Sequence, residues 1–106
     1  MKDVLVLGAG KIGALISGLL AESGDYAVQL ADALPGAAAE VVNAHGLDHM
    51  QAFDLDATDT DALTQHVRTH KPIALISGLP YFCNVAVAQV ARDEGVHYFD
   101  LTEDVA

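Results

Sequence analysis

The sequence of 106 residues has no tryptophan, three prolines, one cysteine and only five lysine or arginine side chains. A single cysteine, Cys83, excludes an internal disulfide framework and is typical of proteins in the reducing cytoplasm. Fifteen aspartates and glutamates bring the net charge to -10. This charge argues against nucleic acids and anionic membranes as partners, because both require clustered lysine or arginine side chains and the five in this sequence form no patch. We therefore expect a cytoplasmic protein with neither of these partners.

Long hydrophobic runs are also missing. No apolar stretch approaches the roughly 20 residues of a membrane span. The first apolar run is too short for a signal peptide and leads straight into glycines. With no linker or low-complexity tract, residues 1–106 are predicted to form one domain. The hydrophobic content of 52% is typical of a parallel sheet whose strands are buried on both faces.

The most informative stretch covers residues 4–13, where four apolar residues lead into three spaced glycines. This order, followed by a helical pattern, is the layout of a dinucleotide-binding fingerprint. The first glycine allows the turn, the second admits the pyrophosphate, and the third allows close packing of the helix. An ordinary glycine-rich turn is the alternative. The residues predicted to form the cradle are Gly8, Ala9, Gly10, Lys11, Ile12 and Gly13.

Asp32 closes the next apolar run, roughly 20 residues after the last glycine, as the fingerprint requires. A carboxylate there accepts hydrogen bonds from the adenosine ribose and repels a 2′-phosphate. No lysine or arginine lies between Lys11 and Arg68 to bind that phosphate. We therefore expect NAD to be preferred over NADP. The alternative for Asp32 is an Asx-type turn after the strand.

The remaining pattern alternates strands and helices. Strands are predicted at 2–7, 26–31, 48–53, 73–77 and 96–101, with helices at 11–23, 35–44, 58–70 and 81–94. Such alternation predicts a three-layer, doubly wound α/β fold, that is, a Rossmann parallel sheet of strand order 3-2-1-4-5. The first helix is expected to pack on the sheet through Ile12, Leu15, Ile16, Leu19 and Leu20, and the last through Phe82, Val85, Ala86 and Val90.

Ligands of such sheets bind beyond the carboxyl ends of the strands, near the switch between the first and fourth strands. This rule predicts cofactor contacts from Ser77, Gly78, Leu79 and Pro80, against the alternative of a plain strand-to-helix turn. Asp56 and Asp59 are interpreted as turn and cap residues.

No metal site or catalytic residue is predicted. His66 and His70 lie four residues apart, but no third ligand accompanies them, so a polar helix face is expected. No nucleophile–base pair can be assigned. A group of three acidic residues and a threonine after the last strand is interpreted either as a contact at the nicotinamide end or as a solvated acidic terminus; it comprises Asp100, Thr102, Glu103 and Asp104.

Three stretches together resemble the N-terminal part of saccharopine dehydrogenase-like proteins: residues 4–13, 77–84 and 95–103. The resemblance implies an NAD- or NADP-linked oxidoreductase that makes or splits a secondary amine between an amino acid and an oxo acid. It also implies a separate substrate domain, so we expect residues 1–106 to be a fragment that binds cofactor without catalysing the reaction. The resemblance would place Asp54 against the adenine edge; a short acidic turn is the alternative.

Two other functions use the same residues. A regulatory NAD-sensing domain of a transporter or channel would couple binding to a conformational change. A relative that has lost ligand binding would serve only in assembly. A sheet that ends at the fifth strand exposes an edge, so we also expect self-association there.

Overall fold

The computed structural model describes residues 2–100, which form five strands and four helices. The strands are β1 (Lys2–Leu7), β2 (Tyr26–Asp32), β3 (Met50–Asp54), β4 (Ala74–Ser77) and β5 (His97–Asp100). The helices are α1 (Lys11–Glu22), α2 (Ala37–His45), α3 (Thr60–His70) and α4 (Tyr81–Asp93). The predicted strand end at Leu101 and the polar residues Thr102, Glu103 and Asp104 lie outside the described residues.

All five strands are parallel, in the order β3-β2-β1-β4-β5, as predicted. The central strand β1 is apolar on both faces because helices cover both. Val4 and Val6 belong to the core beneath α1 and α2, whereas Leu5 and Leu7 belong to the core beneath α3 and α4. The result is the predicted three-layer α/β Rossmann fold.

The buried face of α1 differs from the prediction. Ile12, Leu15 and Leu19 are 56%, 57% and 56% exposed. The fully buried residues of α1 are small, namely Gly13, Ser17, Gly18 and Ala21. Of the predicted residues, Leu20 is half-buried against the core. Small residues allow this helix to lie against the backbone at the end of β1, which bulky side chains would prevent.

The packing of α4 was also predicted wrongly. Phe82 and Val85 are 73% and 81% exposed, and Ala86 is exposed as well. Of the four residues expected to face inward, only Val90 is buried; the others on that face are Asn84, Val87 and Ala91. The helix is apolar on several sides, so hydrophobic spacing alone did not select the face that packs.

Two helix starts lie slightly later than predicted. Asp59 caps α3 by accepting a hydrogen bond from the Ala62 N–H at 3.2 Å. Its neighbour Thr58 instead donates to the Asp56 carboxylate, which lowers the pKa of Asp56. Both aspartates are thus the turn and cap residues that were expected. Pro35 precedes α2 rather than lying in its first turn.

His66 lies in the core rather than on a polar helix face, with 8% of its surface exposed. A hydrogen bond of 2.9 Å joins its Nε2 to Gln29 Oε1, and the Phe53 ring packs edge-on against it. Burial lowers the pKa of His66 to about 4, and the charge of neighbouring His70 adds to this effect.

Within residues 2–100, no group of three or more His, Cys, Asp or Glu side chains is arranged to hold a metal ion. None of the four described helices combines the length and apolarity needed to traverse a bilayer.

Candidate functional site

The glycine-rich turn begins where β1 ends. Gly8 has φ +97°, a left-handed conformation that favours glycine, and its N–H donates to the Ala31 carbonyl at 2.8 Å. Gly13 packs directly on this residue: a Cβ at Gly13 would lie 1.8 Å from the Gly8 carbonyl oxygen. The third glycine of the motif therefore brings α1 against the first glycine.

Gly10 is the N-cap of α1 and contributes no side chain to the start of the helix. A Cβ added to Gly10 would have no neighbouring atom within 4 Å, so the space beside this residue is open. The first turn of α1 contains no acidic residue and has Lys11 at its first position; Lys11 and Ile12 are exposed. An uncapped helix start with open space beside it fits an anion such as a pyrophosphate.

Asp32 points back towards this turn. Its Oδ2 accepts a hydrogen bond from the Ala9 N–H at 2.7 Å, and its Oδ1 accepts one from the Leu34 N–H at 2.8 Å. The second bond is an Asx-type turn, so the carboxylate both shapes the end of β2 and contacts the glycine-rich turn. A half-buried carboxylate in this position lies beside the proposed diphosphate cradle.

Asp54 is the neighbour of Asp32 across the sheet, because the two residues pair in the register of β2 and β3. Its Oδ1 accepts a hydrogen bond from the Gly36 N–H at 3.1 Å, just before α2. The Asp54 side chain is exposed at the carboxyl edge of the sheet. The two acids therefore flank the turn between β2 and α2.

The turn between β4 and α4 lies on the other side of the glycine-rich turn. The Gly78 N–H donates to the Leu7 carbonyl at 2.8 Å. A Cβ at Gly78 would lie 3.2 Å from that oxygen, so the two backbones are close. Leu79 is half-buried beside Gly8, and Pro80 is the exposed N-cap of α4. The structure thus places this turn next to the start of α1.

The Ser77 side chain is fully buried. Its hydroxyl donates to Asn84 Oδ1 at 2.7 Å and accepts a bond from the Leu79 N–H at 3.3 Å. Sequence reasoning missed Asn84, although a polar residue in an otherwise apolar helix seven positions after Ser77 was a usable indication. The pair joins the end of β4 to the first turns of α4.

Comparison with protein families gives a match over residues 4–105 to the family described as the saccharopine dehydrogenase NADP binding domain. Comparison with curated protein sequences finds no match.

Solved structures share the fold. Saccharopine dehydrogenase (L-Glu forming) from Saccharomyces cerevisiae matches with a TM-score of 0.82 and 24% identity, over 97% of this chain and 22% of that one. A dTDP-glucose 4,6-dehydratase from Bacillus anthracis, in complex with NAD, matches with a TM-score of 0.76 and 13% identity, over 94% of this chain and 36% of that one. A short-chain dehydrogenase/reductase from Veillonella parvula, in complex with NADP, matches with a TM-score of 0.71 and 13% identity, over 93% of this chain and 46% of that one.

The chain thus spans only about a fifth of the length of the yeast enzyme it resembles. The glycine-rich turn, the uncapped helix and the family match identify a dinucleotide-binding domain. The chain belongs to the saccharopine dehydrogenase NADP binding domain family.

Proposed function

We propose that this domain binds NAD in preference to NADP and serves as the cofactor module of a larger oxidoreductase. The observation that carries the preference is the Asp32 carboxylate, bonded to the Ala9 N–H beside the glycine-rich turn. A ribose hydroxyl can donate to such a carboxylate, whereas a 2′-phosphate is repelled by it. The family's description mentions NADP, so the proposal concerns what this chain's own residues favour.

The site residues divide the cofactor between them in this proposal. Backbone groups of 8–13 hold the diphosphate, and Asp32 holds the adenosine ribose. Asp54 lies on the adenine side. The turn of Ser77, Gly78, Leu79 and Pro80 flanks the nicotinamide half, through backbone and apolar contacts rather than the buried Ser77 hydroxyl. When bound, the nicotinamide supplies the redox chemistry, and the protein orients it.

For the whole protein we propose action on a secondary amine formed between an amino acid and an oxo acid, as the family resemblance implies. Since the chain spans 22% of the yeast enzyme's length, substrate binding and proton transfer are assigned to residues outside 1–106. The lone Cys83 is in keeping with a reducing, cytoplasmic location. The family match does not favour the sensor alternative.

The cofactor preference can be tested by fluorescence titration with NADH and NADPH at equal ionic strength. We expect NADH to bind at least about tenfold more tightly, because a unit charge facing a phosphate in partly exposed surroundings is worth more than about 1.4 kcal/mol. Equal or tighter binding of NADPH would contradict the assigned role of Asp32. Absence of binding by either at millimolar levels would contradict the module itself.

We also propose self-association through the open side of β5, which pairs only with β4 within the described sheet. An apolar groove of about 350 Å³ lies on the face of the sheet that α1 covers and extends to β5; it is lined by Val4, Leu20, Tyr26, Ile73, Ala74, Ile76, His97 and Phe99. Phe99 is 57% exposed there. Sedimentation over a range of concentrations should show a dimer that a Phe99→Lys variant does not form; a monomer throughout would refute the idea.

A further inference from the structure

The turn between β2 and α2 has few N–H groups left to donate. Leu34 N–H is bonded to Asp32 Oδ1 at 2.8 Å, and Gly36 N–H is bonded to Asp54 Oδ1 at 3.1 Å. Ala37 N–H donates to the Leu34 carbonyl at 3.1 Å. Pro35 has no N–H at all. Three of the backbone donors in 33–37 are therefore already engaged.

A phosphate group needs donors or cations, because each of its oxygens carries negative charge that must be compensated. Proteins supply these from arginine, lysine or clustered backbone N–H groups. The turn has no cationic side chain, and the first turn of α2 adds the acidic Glu40. A phosphate on the adenosine ribose would therefore meet carboxylates and occupied amides.

We infer that Asp54 is a second specificity-determining residue, which excludes the 2′-phosphate of NADP by holding the Gly36 N–H. The inference rests on the proposed preference for NAD. Asp32 acts on the ribose directly, whereas Asp54 acts through the amide that it occupies. Its position follows from the register, which pairs Asp54 with Asp32. Removal of Asp32 alone should thus leave the site poor at binding NADPH.

The test measures the dissociation constant of NADPH divided by that of NADH. Effects of a substitution on the fold, or on the parts that the two cofactors share, cancel in this ratio. Three proteins are compared: Asp32→Ser alone, and Asp32→Ser combined with Asp54→Ala or with Asp54→Asn. The alanine frees the Gly36 N–H, whereas the asparagine keeps an oxygen that can accept its bond while removing the charge. Asp56→Ala in the same background is the matched control, because within residues 2–100 the Asp56 carboxylate accepts its bonds from Thr58 of its own turn.

We expect the ratio to fall about tenfold on adding Asp54→Ala, since a hydrogen bond to a charged group is worth at least that factor. Asp54→Asn should lower it about threefold or less, and Asp56→Ala less than about twofold. An unchanged ratio in the alanine variant would overturn the inference. Equal falls for alanine and asparagine would overturn the role of the amide.

The unmodified protein tests the proposed function separately. If it binds NADPH at least as tightly as NADH, the proposed preference for NAD has failed, whatever the variants show. If the double variants do not fold, the single variants Asp54→Ala and Asp54→Asn provide the same comparison. The expected difference between them is then smaller, about threefold, because the Asp32 charge remains. No difference would again overturn the inference.

Discussion

Replacement of Gly10 by alanine should separate cofactor binding from folding. Gly10 has φ -69° and ψ -172°, which any residue adopts, and an added Cβ would meet no atom within 4 Å. Alanine is a poorer N-cap than glycine by some tenths of a kcal/mol. It also restricts the unfolded chain, which contributes roughly 0.4–1 kcal/mol in the other direction. The free energy of unfolding should therefore change by less than about 0.5 kcal/mol.

Binding should respond quite differently. The new methyl group would occupy the open space beside the uncapped start of α1, where in the proposed function the diphosphate approaches the backbone N–H groups. Loss of one charge-assisted hydrogen bond costs about 1.5–3 kcal/mol, which corresponds to roughly a 10- to 100-fold weaker affinity for NADH. A fluorescence titration measures this, and urea unfolding checks the fold.

The matched control for Gly10→Ala is a ligand rather than a variant. Adenosine carries no phosphate, so its affinity, measured by competition with NADH, should change less than about twofold in the variant. This change is well below the effect of losing one hydrogen bond. An NADH affinity within threefold of the unmodified protein would refute the placement of the diphosphate at this helix start.

Three further predictions follow from the contacts described above. Gly13→Ala should lower the free energy of unfolding by at least about 2 kcal/mol, measured in urea, because its Cβ would lie 1.8 Å from the Gly8 carbonyl oxygen. Burial holds the pKa of His66 at about 4 in the folded state, below the value of about 6.5 expected for the unfolded chain. Stability should thus be full above pH 6.5 and fall by up to about 3 kcal/mol between pH 6.5 and 4, a slope that His66→Gln should flatten in urea titrations. Asn84→Leu should weaken NADH binding more than ADP-ribose binding, because its bond to Ser77 holds the turn assigned to the nicotinamide half; equal losses would argue against that assignment.

The strand order followed from sequence because its physical causes are local. Four consecutive apolar residues in β1 require cover on both faces, and alternating strands and helices leave only a doubly wound sheet. Helix orientation did not follow in the same way. Both α1 and α4 are apolar around much of their circumference, so spacing alone does not select a face. The face of α1 is set by the contact of Gly13 with Gly8, which exists only in the folded chain.

The candidate site likewise combines features that follow from local sequence spacing with contacts that do not. The glycine spacing and Asp32 could be predicted as site residues, because the fingerprint places each at a fixed distance along the chain. The bond between Asp54 and Gly36 joins residues 18 positions apart, and the bond between Ser77 and Asn84 depends on how α4 is rotated. Contacts of this kind depend on register and packing, for which a single sequence gives no direct measure.

In the proposed site, backbone N–H groups recognise the phosphates, and side chains decide which of these groups are available. At the start of α1, glycines leave the N–H groups uncovered, and no acidic residue lies in the first turn. At the start of α2, Asp54 takes the Gly36 N–H and Glu40 adds negative charge. Both helix starts have the dipole that attracts phosphate, but at the second the N–H groups of Gly36 and Ala37 are already bonded. Such a domain would bind the diphosphate that both cofactors share and reject the additional 2′-phosphate of NADP. The β2–α2 turn, which has no cationic side chain, would achieve this rejection through its occupied N–H groups and its carboxylates.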